Sequence, residues 1–172
     1  GYDAFVMGSF SEPYLREMRT AVDIPVVSLT EASLLLGCSL GTKIGFISNA
    51  PNVAYMTRLS VAKHHLEARV VDTTSLLPGM DEYELIAARD NPAALIEAFT
   101  KTARDLIARG AEVIVPAEGV MAEIFAREGL NRIDKAVVLD VFAAAWCQAL
   151  SLVRLRRGLG ITASRAWAYS RG

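Results

Sequence analysis

Short apolar runs that alternate with longer amphipathic segments constrain this chain more than any other feature. The runs fall at Ala4–Met7, Pro25–Leu29, Lys43–Ile47, Ala68–Asp72, Glu112–Val115 and Ala136–Leu139. Several are apolar at successive positions instead of alternating, as strands buried on both faces are. Between them, Glu12–Thr20, Glu31–Cys38, Val53–Leu66, Pro92–Ala108, Val120–Arg127 and Val141–Arg156 have helical periodicity. Repeated strand–helix units imply an α/β fold with a mostly parallel sheet and right-handed crossovers.

Local chemistry sets the expected boundaries. Thr30 is placed to cap the helix that begins at Glu31. Asn91 before Pro92 is a strong helix start, because proline at the first helical position gives up an N–H that had no partner. Gly110 after Arg109 is a stop, since glycine enters the left-handed region cheaply. The stretch 73–90 reads as one long irregular connection, a lid or a rim. A break at Gly41-Thr42 lets a second lobe begin at Lys43.

Of the 172 residues, 52% are hydrophobic, enough to fill a core, and 18 basic against 19 acidic residues leave a formal charge of −1. That balance gives no reason to expect a nucleic-acid partner. The arginines at 154, 156, 157, 165 and 171 read as a solvated helix face and its exit loop. No signal peptide and no run of transmembrane length is visible, so a soluble, cytoplasmic protein is expected. Cys38 and Cys147 lie in apolar helical stretches and read as small buried hydrophobes. No GxGxxG follows a strand and no Walker-type loop is present, so no nucleotide cofactor is expected. His64 and His65 are adjacent on a helix and point apart, which reads as a solvated helix end and not a metal pair. No metal is expected.

In open α/β sheets, ligands sit beyond the C-terminal strand ends, near helix N-termini. That rule selects Gly8-Ser9-Phe10-Ser11, Ser48-Asn49, Pro116-Ala117-Glu118-Gly119 and Asp140. Glu118 follows an apolar strand at the position where an acid–base side chain would be displayed, and it equally suits a helix start. Ser9 is a candidate nucleophile or hydrogen-bond donor, or with Ser11 a helix cap. Ser48 and Asn49 suit a substrate oxygen or, equally, plain capping and turn chemistry, and Asp140 suits a cap or a support for the site.

The same segments resemble the aspartate/glutamate/hydantoin racemase superfamily, and within it the hydantoin and allantoin racemase branch. Val6-Met7-Gly8-Ser9-Phe10-Ser11-Glu12-Pro13 is similar to the first cysteine motif of that branch. Pro25–Ala32 and Gly41–Asn49 resemble two further segments. Ile114-Val115-Pro116-Ala117-Glu118-Gly119-Val120-Met121-Ala122 falls on the second cysteine motif, and Val138–Ala145 on the last strand and returning helix. The resemblance implies two pseudo-symmetric parallel-sheet lobes with helices on both faces and a site in the cleft. It also implies an upstream strand and helix that have no counterpart here. The first lobe would comprise 1–42 and 131–172, and the second 43–130.

Racemases of this family use two cysteines on opposite sides of the substrate carbon. Ser9 and Glu118 stand in their places here. A serine hydroxyl is a poor free base, and the reference pKa of glutamate is about 4.3 against about 8.5 for cysteine. These departures favour a cofactor-independent hydrolase or lyase acting on a small carboxylate, amide or cyclic imide-like substrate. Glu118 and Ser9 would carry the chemistry, with Phe10, Ser48, Asn49, Gly119, Val120 and Asp140 holding the substrate. An amino-acid or hydantoin racemase or isomerase is one alternative, and a non-catalytic small-molecule binding protein is another. A homo-oligomer is expected, with Trp167-Ala168-Tyr169 completing the core or meeting a second copy.

Overall fold

Two parallel sheets take up the apolar runs in the computed structural model, which describes residues 1–171. In the first, β1 (Phe5–Met7) pairs with β2 (Val26–Ser28), with α1 (Leu15–Ala21) between them and α2 (Leu29–Leu40) following. The second contains β3 (Ile44–Ser48), β4 (Val70–Ser75), β5 (Val113–Pro116), β6 (Arg132–Ile133) and β7 (Ala136–Val138) in the order β4-β3-β5-β7-β6. Only β6 runs antiparallel to its neighbour. The crossovers are α3 (Pro51–Lys63), α4 (Glu82–Ala87), α5 (Ala93–Ala108) and α6 (Gly119–Arg127), and α7 (Val141–Leu159) closes the fold. The result is an α/β fold of two similar sheet-containing lobes with flanking helices. No helix is long and apolar enough to cross a membrane among the described residues.

Strand alternation sends β3 side chains to two cores. Ile44 and Phe46 join Val27, Leu29, Leu34, Val113 and Val141 on one face, a cluster that draws on both lobes. Ile47 joins Leu95, Phe99, Leu106, Ile114 and Phe125 on the other. Gly45 lets α5 approach closely, because a Cβ there would lie 2.7 Å from Leu106 Cδ1. The rings of Phe99 and Phe125 meet at 4.4 Å between centroids. Along α5, Leu95, Phe99, Ala103 and Leu106 are buried, a helical stripe with three- and four-residue spacing.

Several expectations need correction. The hydroxyl of Ser28, not Thr30, accepts from Glu31 N at the start of α2. Thr30 is buried and donates to Phe10 O at 2.8 Å instead. Half of the stretch 73–90 is regular: β4 runs to Ser75, and Asp81 with Glu84 forms a capping box that starts α4. Cys147 is exposed, because it lies on the outer side of α7, while Cys38 is partly buried. Trp167 is exposed and takes no part in the core. After residue 130, β6 and β7 add to the second sheet along the edge of β5.

Candidate functional site

Parallel pairing of β3 with β5 brings their C-terminal ends to one edge, and the loop after β1 reaches the same edge. A cavity of about 550 Å³ lies there. Gly8, Ser9, Phe10 and Ser11 form one wall, and Ala117, Glu118 and Gly119 another. Asn49 and the first turns of α3 (Asn52, Val53, Tyr55, Met56, Thr57) supply the floor and third wall, and Glu82 and Leu85 of α4 complete the lining. Of the residues singled out from sequence, this cavity therefore assembles Ser9, Phe10, Asn49, Glu118 and Gly119.

The other three are placed elsewhere. Ser48 is fully buried, with its hydroxyl 3.5 Å from Thr57 Oγ1 behind the lining. Val120 contributes its backbone N–H to Glu118, while its side chain packs against the second core. Asp140 caps α7, accepting from Phe142 N at 3.0 Å and Ala143 N at 2.9 Å. Its strand, β7, lies beyond β5, so Asp140 borders two other cavities instead.

Glu118 is half-buried and is the N-cap of α6. Its Oε1 accepts from Val120 N at 3.0 Å and its Oε2 from Met121 N at 2.7 Å. The carboxylate thus satisfies the positive end of its own helix and still borders the cavity. Each oxygen retains capacity to accept another hydrogen bond. Elsewhere on the lining, the hydroxyls of Ser9 and Ser11 lie 2.9 Å apart. Neither caps α1, which starts at a left-handed Tyr14 with no side-chain cap.

Helix α3 differs from α6. Pro51 opens it, no side chain caps it, and Asn52 and Val53 line the cavity. Its first-turn amides remain available to an acceptor from outside the helix. Asn49 presents the opposite need. Its Nδ2 donates to Met80 O at 2.9 Å, leaving Oδ1 buried without a partner among the described residues. Such an atom calls for a donor. No Lys, Arg or His lines the cavity, while Glu82 and Glu118 do. Sequence reading missed Glu82 because α4 was taken as loop, although Asp81 followed by Glu84 was a readable capping-box signal.

A correction also falls on His64, which is not a solvated helix end. Its side chain is 13% exposed, and Nε2 lies 2.8 and 2.9 Å from the two carboxylate oxygens of Glu12.

Comparison with known proteins adds to this geometry. Residues 1–163 match the family described as Asp/Glu/Hydantoin racemase. A hydantoin racemase from Pseudomonas sp. (strain NS671) is 28% identical over 124 residues, covering 72% of this chain and 48% of that protein. The chain thus spans about half the length of the curated relative it matches. Among solved structures, an allantoin racemase from Pseudomonas fluorescens superposes with a TM-score of 0.82 at 24% identity, covering 100% of this chain and 69% of the other. An allantoin racemase from Klebsiella pneumoniae gives 0.80 at 22%, covering 100% of this chain and 66% of the other. A glutamate racemase from Bacillus anthracis gives 0.61 at 14%, covering 91% and 59%. At these identities the superpositions establish the fold.

Proposed function

Because the chain belongs to the Asp/Glu/hydantoin racemase family, we propose that its cavity serves a racemase or isomerase reaction, moving a proton at a carbon next to a carbonyl. The expectation of a hydrolase or lyase is corrected by the relatives above, each of which is a racemase. The observation that carries the proposal is the meeting of Ser9 and Glu118, from two sequence-distant strand ends, in one cavity with the uncapped start of α3.

In this reading the substrate carbonyl faces the first-turn amides of α3. Negative charge that develops on its oxygen as the proton leaves is stabilised there by the helix N-terminus. Glu118 takes the proton on one wall, through the remaining capacity of its carboxylate. The Ser9–Ser11 hydroxyl pair relays a proton from solvent to the carbon, Ser9 taking up a hydrogen as it gives one, and Glu118 returns its proton to solvent at the exposed mouth by Tyr55 and Glu82. An N–H beside the carbonyl would answer the unpartnered Oδ1 of Asn49. An amide or cyclic imide-like ring offers both groups. A free carboxylate fits less well, because the lining holds two carboxyl side chains and no Lys, Arg or His.

The test is deuterium uptake at the reacting carbon in D2O, together with loss of optical activity, for 5-substituted hydantoins and amino-acid amides. Exchange that disappears in Glu118→Gln supports the proposal. Tight binding without exchange in either form would replace it with a second reading, a binding protein that has kept the cleft. That second reading draws on one observation: both Glu118 oxygens are already engaged in capping α6.

A further inference from the structure

The Ser9 wall of the cavity belongs to a loop with an unusual conformation. Glu12 and Tyr14 are both left-handed, at φ 52° and 56°, without being glycine. Such residues persist only where the surroundings over-determine them. Here the surroundings come from three elements. From the first lobe, Ser28 Oγ at the end of β2 donates to Glu12 Oε1, and Glu31 N at the start of α2 donates to the same oxygen at 3.2 Å. From the second lobe, the end of α3 brings His64 Nε2 to within 2.9 Å of both Glu12 oxygens. The Glu12 side chain is 0% exposed.

Two further contacts grip the same loop. Lys63, the last residue of α3, donates from Nζ to Ser11 O at 3.3 Å, and Thr30 donates to Phe10 O. Behind His64, its Nδ1 lies 3.7 Å from Glu31 Oε1, and Glu31 in turn pairs with Arg19. The opposite end of α3 lines the cavity with Asn52 and Val53. One helix therefore touches the substrate space at its start and the loop that carries Ser9 at its end.

We propose that Glu12 and His64 form an interlobe clamp that positions the Ser9–Ser11 hydroxyl pair against the cavity. They are positioning residues, since neither lines that cavity. The geometry assigns His64 the decisive share, because it is the side-chain contact to Glu12 that crosses from the second lobe. Ser28 and Glu31 hold Glu12 within the first lobe alone. Loss of His64 removes the buried contact between the loop and the end of α3, leaving the exposed Lys63–Ser11 bond, and does not touch the Glu118 wall.

The experiment has two arms on the whole chain. In the first, amide hydrogen exchange is compared for wild type, His64→Ala and His64→Gln. The amide of Glu12, which donates to Ser9 O at 3.3 Å, is the reporter, and those of Val120 and Met121 are the controls. Exchange of the Glu12 amide at least tenfold faster in His64→Ala, with the controls unchanged, is the expected result. His64→Gln, whose side-chain amide can still donate to Glu12, should restore slow exchange. An unchanged Glu12 amide in His64→Ala overturns the proposal. Should that variant fail to fold, Glu12→Gln, similar in volume but without the charge, carries the same comparison.

The second arm rests on the proton-transfer reading above and uses 5-benzylhydantoin as probe. His64→Ala should lower kcat for deuterium uptake at least tenfold, with a change in KM below about threefold. In a Ser9→Ala background the same substitution should have little further effect, because residues acting as one unit are not additive. Additive losses overturn the positioning role. An inert wild type counts against the proton-transfer reading alone, since the first arm needs no substrate.

Discussion

The carboxylate of Glu12, wholly withdrawn from solvent, receives His64 Nε2 at 2.8 Å from a helix of the other lobe. Removing His64 takes away one donor from this buried carboxyl group and leaves Ser28 Oγ and Glu31 N on it. His64→Ala should therefore destabilise the protein by about 1–3 kcal/mol, the range for a buried polar group that loses a hydrogen-bond partner. Replacing both residues by leucine should cost less than that, because no buried polar group is left short of a partner. Urea unfolding of the wild type and the two variants checks this. A loss below about 1 kcal/mol in His64→Ala would show that water reaches the carboxylate.

Glu118 has a structural role and a proposed chemical one, and two substitutions separate them. Glu118→Ala removes the cap of α6 and should cost about 0.5–2 kcal/mol of stability. Glu118→Gln retains an acceptor oxygen for one of the two N–H groups and should cost less. Both should lose proton transfer by about 10²–10⁴-fold, the usual contribution of a general base. Thermal unfolding and deuterium uptake measured on the same samples make the comparison. A Gln variant as active as wild type would reduce Glu118 to its capping role.

The second core contains an aromatic pair. Phe99 and Phe125 are both fully buried, and their rings tie α5 to α6 behind the Glu118 wall. Phe99→Ala should destabilise by about 3–5 kcal/mol through lost transfer energy and the cavity left behind. Phe99→Leu, which refills much of the volume, should recover a large part of it. Chemical denaturation gives both values, and equal losses for the two would mean that the pocket collapses around either side chain.

The strands were legible because burial on both faces writes itself into consecutive residues. Ile44–Ser48 and Val113–Pro116 lie within one residue of the apolar runs that announced them. Strand ends then pointed to Ser9, Asn49 and Glu118. The same local logic could not separate Glu118 from Asp140, since each is an acid between a strand and a helix. Which one faces the cavity depends on strand order, and β7 lies outside β5. The His64 environment was hidden for a similar reason. Its neighbours in sequence, Lys63 and Glu67, describe a solvated helix end, while its partner Glu12 lies 52 residues away.

A last prediction concerns the seam between α2 and β3, where Gly41-Thr42 was read as a break. Thr42 donates from both its hydroxyl, at 2.7 Å, and its backbone N–H to Glu112 Oε2. The hydroxyl bond, and after it the backbone bond, hold the Glu112 carboxyl below the usual glutamate range. A folded-state pKa that is depressed contributes stability above the unfolded value, and that contribution is lost as pH falls through the folded one. Glu112 should therefore steepen the acid limb of the stability profile at pH values below the ordinary glutamate range. Thr42→Val removes the hydroxyl and keeps the backbone donor, so it should shift the Glu112 titration upward part of the way. Glu112→Gln should remove its share of the acid limb altogether. Unfolding midpoints collected from neutral to acidic pH, beside an NMR titration of Glu112, test both statements. The seam would have no such role if Thr42→Val left the Glu112 titration where it stands in the wild type.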